Sequence, residues 1–132
     1  MARVLAAFAT EVVSSDIDTG LDFLNCQTAG VTVDSIVTNP PYALADLFIV
    51  HALRLMERAN GQVAMLLRTD FDHAKCRQHL FQHPAFSKKL VLTKRIKWFE
   101  DSKGQPSFNH AWHLWDWKHS GPPIIVYGPS PD

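Results

Sequence analysis

Asp34-Ser35-Ile36-Val37-Thr38-Asn39-Pro40-Pro41-Tyr42 is the stretch on which the reading of this 132-residue chain turns. Asp34 to Thr38 reads as a strand, and Asn39-Pro40-Pro41 stops it. Each proline fixes its own φ and biases the residue before it toward extended backbone, so the chain leaves the strand as a stiff loop.

Tyr42 to Arg58 then reads as the clearest helix of the chain. Its polar positions Asp46, Arg54, Glu57 and Arg58 form a narrow stripe in an otherwise apolar pattern, which predicts a largely buried element. Asn60-Gly61 supplies a left-handed stop. Gln62 to Arg68 is a near-continuous apolar run, as in a strand covered on both faces. Residues 72–83 are expected to be helical, ending before Pro84. Lys88 to Phe99 alternates, with Leu90, Leu92, Ile96 and Trp98 opposite Val91, Thr93, Arg95 and Lys97. His110 to Trp117 is its expected antiparallel partner, and Pro122 to Tyr127 either continues the sheet or covers its edge. Upstream, residues 2–9 carry helix formers, and Glu11 to Ser15 reads as a short strand closed by Asp16. Strands alternating with helices, followed by a terminal hairpin, predict a single α/β domain over residues 1–132: an open sheet with a mixed edge.

Thirteen Lys and Arg balance thirteen Asp and Glu, which excludes a histone-like polycation and an acidic solvating protein. The zero net charge conceals a skew, −4 over residues 1–60 and +4 over residues 61–132. Two cysteines, Cys26 and Cys76, are too few for a disulfide scaffold. No apolar run approaches the roughly 18 residues of a membrane span. The apolar stretch after Met1 is short and runs into the polar Ser14 to Asp18, so a soluble, cytoplasmic protein is expected.

The chemistry lies in the loop. The Asn39 amide oxygen and the Pro40 carbonyl can point into one small pocket, where two acceptors would hold both hydrogens of an exocyclic amino group. That would turn the nitrogen lone pair out of the ring plane. Tyr42 adds an aromatic face on which a planar substrate can stack. Asn-Pro and Pro-Pro also mark turns in any protein; the strand before and the helix after set this example apart.

Strand, Asn-Pro-Pro-Tyr and helix together resemble the class I S-adenosylmethionine-dependent amino-methyltransferases, in which this sequence ends the fourth strand. The resemblance implies a Rossmann-like sheet with helices on both faces and a C-terminal antiparallel hairpin. It makes Asn39, Pro40, Pro41 and Tyr42 the catalytic segment, and S-adenosylmethionine the cofactor. Asp16 matches the acidic residue that takes the cofactor's ribose hydroxyls, and Asp22-Phe23 the pair that borders its adenine; Asn39 also touches cofactor. Arg68-Thr69-Asp70-Phe71, Arg77, Leu80-Phe81, Trp115-Asp116-Trp117 and Gly121-Pro122 look like small phage and prophage DNA methyltransferases of this group. Lys94, Arg95 and Lys97 on the basic hairpin are then expected to follow phosphates. These features favour adenine in DNA as the target, although the family also includes enzymes acting on RNA or on a protein glutamine amide.

One family feature is missing. None of the six glycines forms the Gly-x-Gly loop that approaches the cofactor's methionine part. Residues 2–9 look like the helix that follows that loop, so the resemblance implies a chain that begins past the loop and lacks the sheet's central strand. Weak cofactor binding is therefore expected, and a nucleic-acid-binding remnant without catalysis is the alternative, drawing on Lys88, Lys89, Lys94, Arg95, Lys97, Trp98 and Phe99. A zinc site is a further rival: Cys76, His79 and His83 would share one helix face with His73 nearby, but no second half is evident, and the expectation is no metal. Trp112, Trp115 and Trp117 are expected in core and edge packing.

Overall fold

The computed structural model describes residues 34–93 and 109–128. The expected helix at 2–9 and strand at 11–15 lie outside these residues, as do Asp16, Asp22, Phe23, Lys94, Arg95 and Lys97.

Strand β1 (Ser35–Thr38) is followed by a single 3-10 turn (Tyr42–Leu44) and helix α1 (Ala45–Glu57). Strand β2 (Gln62–Arg68) comes next, then two 3-10 turns (Phe71–His73 and Lys75–Arg77) and the one-turn helix α2 (Gln78–Phe81). Strands β3 (Phe86–Val91), β4 (His110–Asp116) and β5 (Ile124–Tyr127) complete a five-stranded sheet of order β1-β2-β4-β3-β5. The described residues are thus an α/β arrangement on a mixed sheet. β1 and β2 are parallel, as are β3 and β5, while β4 runs antiparallel to both β2 and β3.

Among the described residues the antiparallel strand β4 thus has a neighbour on each side, β2 and β3. Alternation marks a segment as a strand without naming its neighbours; here β4 serves two at once, pairing Met65 and Lys89 across His113. Pro122 to Tyr127 does continue the sheet, as the edge strand β5.

Ala45, Ile49, Ala52, Leu53 and Met56 form the buried stripe of α1, at helical spacing. They share one core cluster with Val63, Met65 and Leu67 of β2 and with Phe71, Leu80, Phe86 and Trp115. The helix is not buried all round: Leu47 is 55% exposed, and Leu44 and Val50 also face outward. A helix laid on one sheet face covers only one of its sides. Its end follows the sequence, since Asn60 takes a positive φ of 48° and the Gly61 N–H bonds the Met56 carbonyl. Gly61 is also a close approach, because a Cβ there would stand 2.6 Å from the Asp34 carbonyl oxygen at the start of β1.

Residues 72–83 are not one helix. Ala74 is extended (φ −75°, ψ 131°) and divides the segment into short turns closed by His73 N–H to Asp70 O and Arg77 N–H to Ala74 O. Arg77 folds back instead: its Nη1 donates to the Phe71 carbonyl, its Nε to Asp46 of α1, and its guanidinium lies 3.7 Å over the Phe71 ring. Those ties replace the bonds a continuous helix would have made. Both described helices contribute to the same core cluster, on one face of the sheet. The expected helix for the other face, residues 2–9, lies outside the described residues.

Candidate active site

The strand directions bring four chain segments to one edge. The carboxyl ends of β1, β2 and β3 lie there beside the start of β4, with Thr38 opposite Met65, Arg68 opposite His110 and Val91 opposite Ala111. In open α/β sheets, ligands bind outside the carboxyl ends of the strands. Backbone bonds tie the edge together: Thr69 N–H to Asn109 O, and Leu92 N–H to His110 O.

Asn39, Pro40, Pro41 and Tyr42 leave β1 at this edge. Pro41 sits at φ −61° and ψ 136°, the extended backbone expected of the proline pair. Its carbonyl accepts the Leu44 N–H and closes the 3-10 turn, while among the described residues no backbone donor takes the Pro40 carbonyl. Pro40 itself is buried and the Asn39 side chain is exposed. The loop is thus fastened from below, and the amide side chain is presented to solvent.

Tyr42 is 48% exposed, yet its hydroxyl is held. The oxygen lies 3.3 Å from Nε2 of His110, a buried side chain at the start of β4. Burial of this end pushes the phenol above its ordinary pKa, with the Arg68 charge opposing, the Asp70 charge adding, and the Arg68 backbone opposing. Arg68 and Asp70, at the end of β2, form an exposed ion pair at 3.3 Å. Arg68, Asp70 and His110 were reached in the sequence only through the resemblance or as a strand position. His110 in particular carries no spacing signal, because what gathers it to Tyr42 is the insertion of β4 beside β2.

Of the basic residues expected to follow phosphates, Lys88 and Lys89 lie among the described residues. Lys88 and Lys89 point to opposite faces of β3, in register with Leu114 and His113 respectively. Lys89 is only 12% exposed and is spent inside: its Nζ donates to Asp72 Oδ2 at 2.9 Å and to the Thr69 carbonyl at 2.6 Å. It offers no free cation to a phosphate. Trp115 lies in the core and donates its indole N–H to the Leu80 carbonyl; Trp117 donates to the Leu53 carbonyl at the helix side.

The zinc reading fails on geometry. Cys76, His79 and His83 do not share a helix, and the His83 Nδ1 accepts the Ala85 N–H while its ring packs edge-on against Trp117. Burial lowers the His83 pKa, with Glu57 opposing. Among the described residues no three His, Cys, Asp or Glu side chains group as metal ligands. A cavity of about 310 Å³ is lined by Asp72, His73, Ala74, Lys75, Gln78, Phe81 and Gln82, and shares no residue with the Asn-Pro-Pro-Tyr loop. No helix among the described residues is long and apolar enough to cross a membrane.

The described residues thus define an α/β sheet whose carboxyl edge carries a stiff, polar, aromatic loop. No protein-family model matches the chain, and no curated protein matches it.

Proposed function

We propose that this chain belongs to the S-adenosylmethionine-dependent methyltransferases and acts on the exocyclic amino group of a nucleic-acid base, adenine in DNA. One observation carries the reading: Asn39-Pro40 leaves a parallel strand at the carboxyl edge, beside a half-exposed aromatic ring whose hydroxyl is fastened to the sheet. The sheet, parallel in its first strands and with an antiparallel strand from the C-terminal part, agrees with the architecture the resemblance implies. The exposed Asn39 side chain at this edge supports the amine-binding part of the reading; the proposed cofactor residues Asp16, Asp22 and Phe23 lie outside the described residues.

When bound, S-adenosylmethionine supplies an electrophilic methyl group on a sulfonium. Asp16, Asp22, Phe23 and Asn39 are proposed to hold it. The Asn39 amide oxygen and the Pro40 carbonyl each accept one hydrogen of the target amine, turning the lone pair out of conjugation with the ring. Tyr42 stacks on the base and fixes its plane. The proton displaced from nitrogen leaves to water. Positioning supplies the rate, in the manner of other reactions that gain by holding two reactants in line.

Incubation of the chain with methyl-labelled cofactor and adenine-containing duplex, beside an RNA and a glutamine peptide, tests this. Label on the duplex that depends on Asn39 is the expected result, with calorimetric cofactor binding lost in Asp16→Ala and only weakened in Asn39→Ala, which removes one of several contacts. Label on the peptide alone would move the target to a protein amide. Salt-dependent DNA binding with no transfer to any substrate would replace the enzyme by a binding module.

A further inference from the structure

Tyr42 and His110 are separated by 68 positions in sequence and meet at the edge of the sheet. Their roles there differ. Tyr42 follows two prolines and keeps almost half its surface in solvent, whereas His110 is 4% exposed and sits inside the β2–β4 ladder opposite Arg68. Its backbone carbonyl also accepts the Leu92 N–H from the end of β3, so the imidazole rests on a fixed support between two strands. A phenol ring joined to a stiff loop at one end and to a buried imidazole at the other has little rotational freedom left, while almost half of the residue stays exposed. At 3.3 Å the contact is at the long end of hydrogen bonding, so its contribution is orientation more than energy.

We propose that His110 is a positioning residue that holds the Tyr42 hydroxyl and so presents the ring as a preformed stacking surface for the planar substrate. This rests on the reading of the Asn-Pro-Pro-Tyr loop given above, and adds to it a residue from the opposite end of the chain. A ring ordered before binding loses less conformational freedom when the base arrives, so the anchor acts through binding and alignment.

The test has one arm independent of activity. In the full chain labelled with ¹³C-tyrosine, the Tyr42 Cζ resonance should move in His110→Phe, return toward its original position in His110→Gln, and leave Tyr127 unchanged. In the methyl-transfer assay, Tyr42→Phe and His110→Phe should each lower kcat/KM about tenfold and the double variant no further, the non-additivity of residues acting as one unit. His110→Gln should recover most of the loss, which a merely structural defect would not. A Cζ resonance indifferent to His110→Phe, or additive losses in the double variant, overturns the anchor. A responsive resonance in a chain that transfers no methyl group overturns the reading of the site instead, and the stacking role of His110 with it.

Discussion

Lys89 of β3 reaches Asp72 in the loop after β2, with Nζ 2.9 Å from Oδ2, and the same ammonium holds the Thr69 carbonyl. β3 thereby fastens the segment that leaves the site edge from Arg68 onward, across the intervening β4. Both partners are largely removed from water, so the pair differs from the exposed Arg68–Asp70 pair, whose worth is small.

Replacing Lys89 by Met should leave the Asp72 carboxylate without its cation and destabilise the fold by about 3 kcal/mol. Lys89→Met combined with Asp72→Asn should recover much of that loss, because the buried charge is then gone as well. Urea unfolding with unchanged m-values reads both effects as shifts in midpoint.

Trp115 is fully buried, and its indole donates to the Leu80 carbonyl at 2.8 Å, joining β4 to the last turn of α2. Trp115→Phe keeps most of the ring volume and removes the donor. A loss of about 2 kcal/mol is expected, the sum of one hydrogen bond and an acceptor left in the core. Trp115→Ala should cost more, roughly 3–5 kcal/mol, through the cavity it opens.

His113 gives the fold an acid limit. Its Nδ1 donates to the Ala111 carbonyl, its Nε2 meets no hydrogen-bond geometry among the described residues, and the side chain is fully buried. Burial, followed by the Lys89 charge, lowers its pKa from 6.5 to about 4, with Asp72 and backbone carbonyls opposing. The unfolded chain therefore takes up this proton first as the pH falls. Stability from the neutral imidazole is complete above about 6.5 and is lost as the pH drops to about 4, a span of roughly 3 kcal/mol. His113→Leu should flatten the slope of stability against pH in that window, measured by urea midpoints at half-unit steps.

The residues readable in the sequence were those governed by local rules. Proline geometry fixed the Asn39 to Tyr42 loop, a continuous apolar run marked β2, and the Asn60 turn ended α1 where its chemistry allows. What escaped was decided at long range. The insertion of β4 between β2 and β3 depends on partners nearly fifty positions away, as in Met65 with His113. The break in the helix expected over residues 72–83 depends on Arg77 meeting Asp46, and the burial of Lys89 on an aspartate in the loop after β2. The same long-range pairing brings His110 to Tyr42, so the Asn39 to Tyr42 loop was legible in the sequence and its support was not.

The central claim is that the Asn39 side-chain oxygen accepts a hydrogen from the target amine, and substitutions that separate oxygen from amide test it most directly. N6-methyladenine formed on an adenine-containing duplex, quantified by mass spectrometry, would be compared among the parent chain, Asn39→Asp, Asn39→Ala and Asn39→Leu. Asn39→Asp keeps an acceptor in place and should retain activity within about tenfold, whereas Asn39→Ala and Asn39→Leu should lose about 100-fold or more, the scale of a removed positioning hydrogen bond. Equal product from the parent chain and Asn39→Ala, or none from the parent chain, would contradict the account.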